Sequence, residues 1–160
     1  MSKKEEIILV DEKDNEVGIG EKLKVHREGK LHRAFSIFIF NPKGEMLLQK
    51  RAKTKYHSLG LWTNTCCSHP RPNELLVEAI YRRLKEEMGI NCDLKKIFSF
   101  VYKADLGEMT EYEFDHVFIG KFDENPYLNK EEAEDWKWIS PGELKKDVKE
   151  NLKSILIGLN

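Results

Sequence analysis

Short apolar runs broken by turn-forming residues occupy most of this chain, and one segment switches to helical spacing. Ile7 to Val10 predicts a strand, ended by the turn-prone stretch Asp11 to Asn15. His32 to Phe40 is rich in β-branched and aromatic residues, and Asn41-Pro42-Lys43-Gly44 turns it into Met46 to Lys50, predicting a hairpin. Leu61 to Cys67 predicts one further strand. The helical spacing comes next: Leu76, Ala79, Ile80 and Leu84 form an apolar stripe, with Asn73 placed to cap the helix and Gly89 to end it. Phe98 to Tyr102, Glu111 to Lys121 and Asp135 to Ile139 are the remaining predicted strands. Ser140-Pro141-Gly142-Glu143 reads as a capping box with proline at the first helical position, opening a terminal helix. Mixed strands around one strong central helix predict an α/β (α+β) sandwich.

Composition narrows the class. No repeat or Pro/Gly-rich linker divides the 160 residues, so a single domain over 1–160 is expected, long enough to bury a substantial core. The apolar share of 40% and charged share of 34% suit a soluble globular protein. With 27 basic and 28 acidic residues the net charge is -1, which offers no global attraction to nucleic acid or an anionic membrane. The apolar run after Met1 is too short for a signal peptide or for the roughly 20 residues of a membrane span. Three cysteines, two of them adjacent, cannot all pair, and free thiols in a reducing cytoplasm are expected.

The candidate chemistry centres on Cys67 and His69. Residues i and i+2 of an extended segment point the same way, so this thiol and imidazole can enter one pocket. Cys66 should point away and pack. Along the strand from Glu111, the carboxylates Glu111, Glu113 and Asp115 share one face, while Tyr112, Phe114, His116 and Phe118 share the other. Imidazole and carboxylate together suit a divalent metal, so His26, His32, His69, Glu111 and Glu113 form either one ion site or surface histidines beside a solvated carboxylate face. His57 and His116 are read as surface residues. Cys67 is either a reactive thiol or a buried structural one. Arg83 and Glu87 lie one helical turn apart at the edge of the apolar stripe, which makes Arg83 an anion-ligand candidate. The basic run Lys50 to Lys55 either grips a phosphate or is solvated surface.

The stretches Leu31-His32-Arg33-Ala34-Phe35-Ser36, Leu61-Trp62-Thr63-Asn64 and Cys67-Ser68-His69-Pro70 resemble type 1 isopentenyl-diphosphate isomerase. Ala79 to Ile90 fits that family's degenerate Nudix box, and Glu111-Tyr112-Glu113 fits its Glu-x-Glu strand; the likeness runs from about Ile7 to Ile139. The resemblance implies a Nudix-type mixed β-sheet sandwich with flanking helices that isomerises isopentenyl diphosphate to dimethylallyl diphosphate. It implies that His26, His32, His69, Glu111 and Glu113 bind one Mg²⁺, Mn²⁺ or Zn²⁺, with Cys67, Glu113 and Tyr102 as catalytic residues. Glu87 would hold a second Mg²⁺ bridging to the diphosphate, and Lys22, Arg51, Lys55 and Arg83 would bind the diphosphate itself. The implied partner is the small-molecule substrate, with no nucleic acid or membrane, in a cytoplasmic monomer or homodimer.

Two other readings compete. A Nudix hydrolase usually carries glycine at the first position of the box and glutamate directly after its arginine, whereas Ser68 and Arg83 stand here. Replacing a metal-binding carboxylate with a cation disfavours water activation. A structural metal module presenting Cys66-Cys67 as a redox sensor lacks any Cys-x-x-Cys spacing. The isomerase family also carries a pocket tryptophan in a further helical segment, while Lys149 to Asn160 contains no aromatic residue. Reduced activity or a divergent end is therefore expected, and Trp62 is either a pocket wall or core packing.

Overall fold

The first strands follow directly from turn chemistry. β1 (Glu6–Val10) and β2 (Glu16–Glu21) are an antiparallel hairpin. The Asp11 carboxylate closes it by accepting from the backbone N–H of Lys13 and Asn15, each at 2.9 Å. The computed structural model describes residues 4–52, 61–150 and 155–156, the last pair and 147–150 by backbone alone. β2 and the helix after it, α1 (Lys22–Glu28), lack the patterns that mark the other elements. β2 carries two glycines, and α1 has only seven residues. Local capping holds α1: Glu21 accepts from the N–H groups of Leu23 and Lys24, and Gly29 terminates it at φ 67°.

β3 (His32–Phe40) and β4 (Met46–Arg51) correct the hairpin expectation. The turn forms, but the strands pair only at Phe40↔Met46 and then splay apart. β5 (Trp62–Thr63) joins β4, whereas β6 (Cys66–Ser68) joins β3. The single strand predicted from Leu61 to Cys67 is thus broken at Asn64-Thr65, which cross from one strand to the other. Side chains replace the missing ladder bonds. Thr65 donates to the Leu47 carbonyl at 2.6 Å and accepts from Ile39 N–H at 3.0 Å. Asn64 donates to the Ile37 carbonyl, and Gln49 donates to the Thr65 carbonyl.

α2 (Leu76–Met88) begins later than predicted, with Leu75 rather than Asn73 at the N-cap. Asn73 instead adopts φ 66°, and Glu78 accepts from Leu75 N–H at 3.0 Å. Gly89 ends the helix in the left-handed region, as predicted. β7 (Leu94–Asp105) and β8 (Thr110–Lys121) form a long antiparallel pair, and β8 also runs parallel to β3 from His32↔Glu113 to Phe40↔Lys121. β9 (Ala133–Ile139) pairs with β4, α3 (Pro141–Glu150) starts at the Ser140 cap, and β10 (Ile155–Leu156) lies parallel to β5.

The mixed sheet buries both faces. Phe35, Ile37, Ile39 and Leu47 pack under Ile80, Leu84 and Met88 of α2. Phe38, Met46, Leu48, Val117 and Ile139 form the second cluster, joined by Leu144 of α3. This is the expected α+β sandwich. Its second face, toward the start of β3, also carries His32 and the groups described next.

Candidate active site

Three imidazoles converge where α1, β3 and the end of β6 meet. Among the described residues, His26, His32 and His69 are the group suited to a metal, with their ligand nitrogens all within 4.8 Å of one another. Ring centroids lie 4.8 Å apart for His26–His32, 5.0 Å for His32–His69 and 5.5 Å for His26–His69. His26 Nδ1 meets the Lys22 carbonyl at 2.7 Å and His32 Nδ1 meets the Lys30 carbonyl at 2.9 Å. A carbonyl only accepts, so each Nδ1 carries the proton and Nε2 presents a lone pair, the arrangement a metal ligand needs. His32 Nε2 is buried with no hydrogen-bond partner. Burial also pushes the His32 imidazole down to about 4, which keeps it neutral. A divalent cation fits this donor set.

Register supplies the carboxylates. β3 opposite β8 puts His32 beside Glu113, whose Oε2 lies 3.8 Å from His32 Nε2 and 3.6 Å from His69 Nε2. Burial, with Glu111 and Asp115 nearby, pushes the Glu113 carboxyl well up, while the Arg51 cation pulls it the other way. Glu111 shares the face and takes a hydrogen bond from Tyr102, which stands opposite Glu113 on β7. Burial raises the Tyr102 phenol, and the two carboxylates raise it further. These carboxyls would ionise together only with a cation beside them.

Cys67 faces the same side of the sheet, opposite Ser36 of β3. Its thiol donates to Asn64 Oδ1 at 2.8 Å, and Ser36 Oγ lies 3.5 Å from the sulfur. Burial pushes the thiol up strongly, helped by the Asp115 and Glu113 charges, so it rests as S–H. Asp115, itself pushed up to about 7 by burial, accepts from Ser36 at 2.7 Å.

The basic residues are placed unevenly. A cavity of about 530 Å³ is lined by the cations Lys4, Arg71, Arg82 and Arg83, by Ser68 and His69, and also by the carboxylates Glu5 and Glu6. Arg83 donates to Ser68 Oγ at 2.9 Å and lies 3.2 Å from Glu132 and 3.6 Å from Glu87. Lys22 pairs with Glu5 at 3.0 Å, and Arg51 is buried near Glu113. Lys55 and His57 lie outside the described residues. Glu87 does not join the histidines: it is 2% exposed, accepts the Cys66 thiol at 2.7 Å and faces Arg83. Cys66 packs in the core as expected, but it also holds this carboxylate.

One further expectation is overturned. His116 is buried rather than on the surface, and bonds to Asp14 at 2.9 Å, fastening the β1–β2 turn to β8. Trp62 packs against the second apolar cluster, with Lys137 Nζ 4.4 Å from its ring centroid. Ser36 and Asn64 lie within the stretches that carry the family resemblance but had no role expected of them; their contacts with Cys67 depend on the strand crossing.

Comparison with known proteins identifies the family. The NUDIX domain family model matches residues 30–157. The chain is 56% identical over 146 residues to "Isopentenyl-diphosphate Delta-isomerase 2" of Aromatoleum aromaticum, covering 91% of this chain and 77% of the relative. It is 57% identical over 135 residues to the protein of the same name from Photorhabdus laumondii, covering 84% of this chain and 76% of the relative. A Deinococcus radiodurans crystal structure shares the fold at a TM-score of 0.78 and 20% identity, covering 92% of this chain and 90% of that one. The family model over residues 30–157 and identities of 56% and 57% over most of both chains show that this chain belongs to the isopentenyl-diphosphate Delta-isomerase family of NUDIX-domain proteins.

Proposed function

We propose that this chain isomerises isopentenyl diphosphate to dimethylallyl diphosphate in isoprenoid biosynthesis. The observation that carries the reading is that Cys67 and Glu113 stand on one sheet face beside the three histidines, with Glu113 Oε2 3.8 Å from His32 Nε2 and 3.6 Å from His69 Nε2. Moving an unactivated double bond by one carbon needs a proton delivered to one carbon and another taken from a second. The intermediate charge must be kept from water. A thiol and a carboxylate on a largely buried face supply both proton-transfer groups. Tyr102 restrains the carboxylate pair through its bond to Glu111.

His26, His32, His69, Glu111 and Glu113 are proposed to hold one ion. Three imidazoles with carboxylates favour Zn²⁺ or Mn²⁺ chemically, and Mg²⁺ is the third candidate. The ion, when bound, would offset the carboxylate charge and fix the orientation of Glu113. Arg83, Lys22, Arg51 and Lys55 are assigned to the diphosphate, a non-reacting handle whose binding positions the alkene. Arg83 lining the cavity beside His69 supports that assignment. Glu87 is assigned to a second Mg²⁺ at the diphosphate; Cys66 occupies Oε2, and Oε1 faces Arg83. A cytoplasmic monomer or homodimer is proposed, acting on this small molecule and not on nucleic acid or membrane. No described helix is long and apolar enough to cross a membrane.

Proton NMR of isopentenyl diphosphate with the protein and Mg²⁺ in deuterated buffer tests the function. Loss of the terminal alkene signals with deuterium entering the dimethylallyl product is expected. Phosphate release without change in the alkene signals would overturn the reading in favour of hydrolysis.

A further inference from the structure

The sulfur of Cys67 sits between two oxygens that differ in their freedom to rotate. Asn64 Oδ1 accepts the thiol proton at 2.8 Å and also takes the Thr63 hydroxyl at 3.0 Å. The other end of the same carboxamide donates to the carbonyls of Ile37 at 3.0 Å and Cys66 at 3.2 Å. Turning the amide over would set its oxygen against those two carbonyls and lose both bonds, so the amide stays as it is and Asn64 accepts from the sulfur. Ser36 Oγ lies 3.5 Å from the sulfur on the other side and currently donates to Asp115 Oδ2 at 2.7 Å. A hydroxyl rotates about its C–O bond and donates one proton to either neighbour. Past Ser36 the face is apolar: Phe38, Phe98, Phe100 and Val117 line a cavity of about 190 Å³ there.

Resting on the acid–base role proposed above for Cys67, we infer that Ser36 is a positioning residue whose hydroxyl turns between Asp115 and the Cys67 sulfur as the reaction proceeds, while Asn64 holds the thiol in register. With the proton on sulfur, S–H donates to Asn64 and the Ser36 hydroxyl serves Asp115. When that proton passes to the substrate, the S–H bond breaks and the electron pair stays on sulfur, which then faces the oxygen of Asn64. The Ser36 O–H turns to the sulfur, exchanging one acceptor for another without breaking a covalent bond. When the sulfur recovers a proton, the hydroxyl turns back. The scheme holds whichever of Cys67 and Glu113 delivers the first proton, because sulfur passes through both states in either order.

Ser36→Ala removes the rotating donor, and Ser36→Thr keeps it. For Ser36→Ala, kcat should fall about ten- to a hundredfold, below the general acid–base contribution of about 10²- to 10⁴-fold, with KM within about twofold. Ser36→Thr should recover most of that loss. Alkylation of Cys67 by iodoacetamide, followed by peptide mass spectrometry, should slow in Ser36→Ala and not in Ser36→Thr, because the thiolate is the reacting species. Slowing cannot come from unfolding, which would expose the thiol and speed the reaction. Ser36→Ala with full kcat, or with equal or faster alkylation, overturns the inference while active wild type and inactive Cys67→Ala preserve the isomerase reading. Wild type inactive on isopentenyl diphosphate overturns that reading itself.

Discussion

Thr65→Val probes the crossing that delivers Cys67 to the site. Valine keeps the branched shape of threonine in a fully buried position but removes the hydroxyl that bridges the splayed strands β3 and β4. Two groups then lose their partner, the Ile39 N–H at 3.0 Å and the Leu47 carbonyl at 2.6 Å, and both residues are 0% exposed. Each buried group left unpaired costs about 1–3 kcal/mol, so the substitution should destabilise by about 2–6 kcal/mol. Urea unfolding followed by circular dichroism measures it. With a slope of about 2 kcal/mol per molar, the midpoint should fall by about 1–3 M. A midpoint within about 0.3 M of wild type at unchanged slope would refute the claim that side-chain bonds replace the missing ladder between these strands.

Cys67→Ala and Glu113→Gln should each lower kcat by at least about a hundredfold while circular dichroism shows the native fold; full activity in either removes its assigned role. Chelation should abolish turnover, and elemental analysis of the purified protein should find one tightly held ion lost in His32→Ala. Undiminished activity in chelator would rule out the five-ligand site. Burial holds the His116 imidazole below its ordinary 6.5, outweighing the Asp14 carboxylate beside it. The unfolded chain therefore takes up a proton as pH falls below 6.5 while the native state does not, so stability should decline from there downward. His116→Gln should flatten that decline in urea midpoints measured from about pH 7.5 to 5.5; an equally steep decline would place the titrating group elsewhere.

Much of the site was legible in one dimension because strand periodicity is local. Cys67 and His69 share a face by being two residues apart, and the same rule groups Glu111, Glu113 and Asp115. The central helix and its glycine stop were equally readable, since an apolar stripe and a left-handed cap are properties of neighbouring residues. The seven-residue α1 was not, because its propensity pattern is weak and its caps and the packing of Val25 hold it. Nor was the break between Thr63 and Cys66, since threonine and cysteine continue a strand pattern and only the gap between β3 and β4 forces the crossing. His116 shows the same limit: its partner Asp14 lies 102 residues away, in a turn with no marker for that contact. Residue type and spacing alone set the donor groups and the local faces that they share. Tertiary structure decided which faces meet, because the parallel register of β3 and β8 sets His32 against Glu113 and the Asn64-Thr65 crossing sets Cys67 against Ser36. Long-range pairing is chosen by burial of the whole sheet, and that choice is written in no single segment.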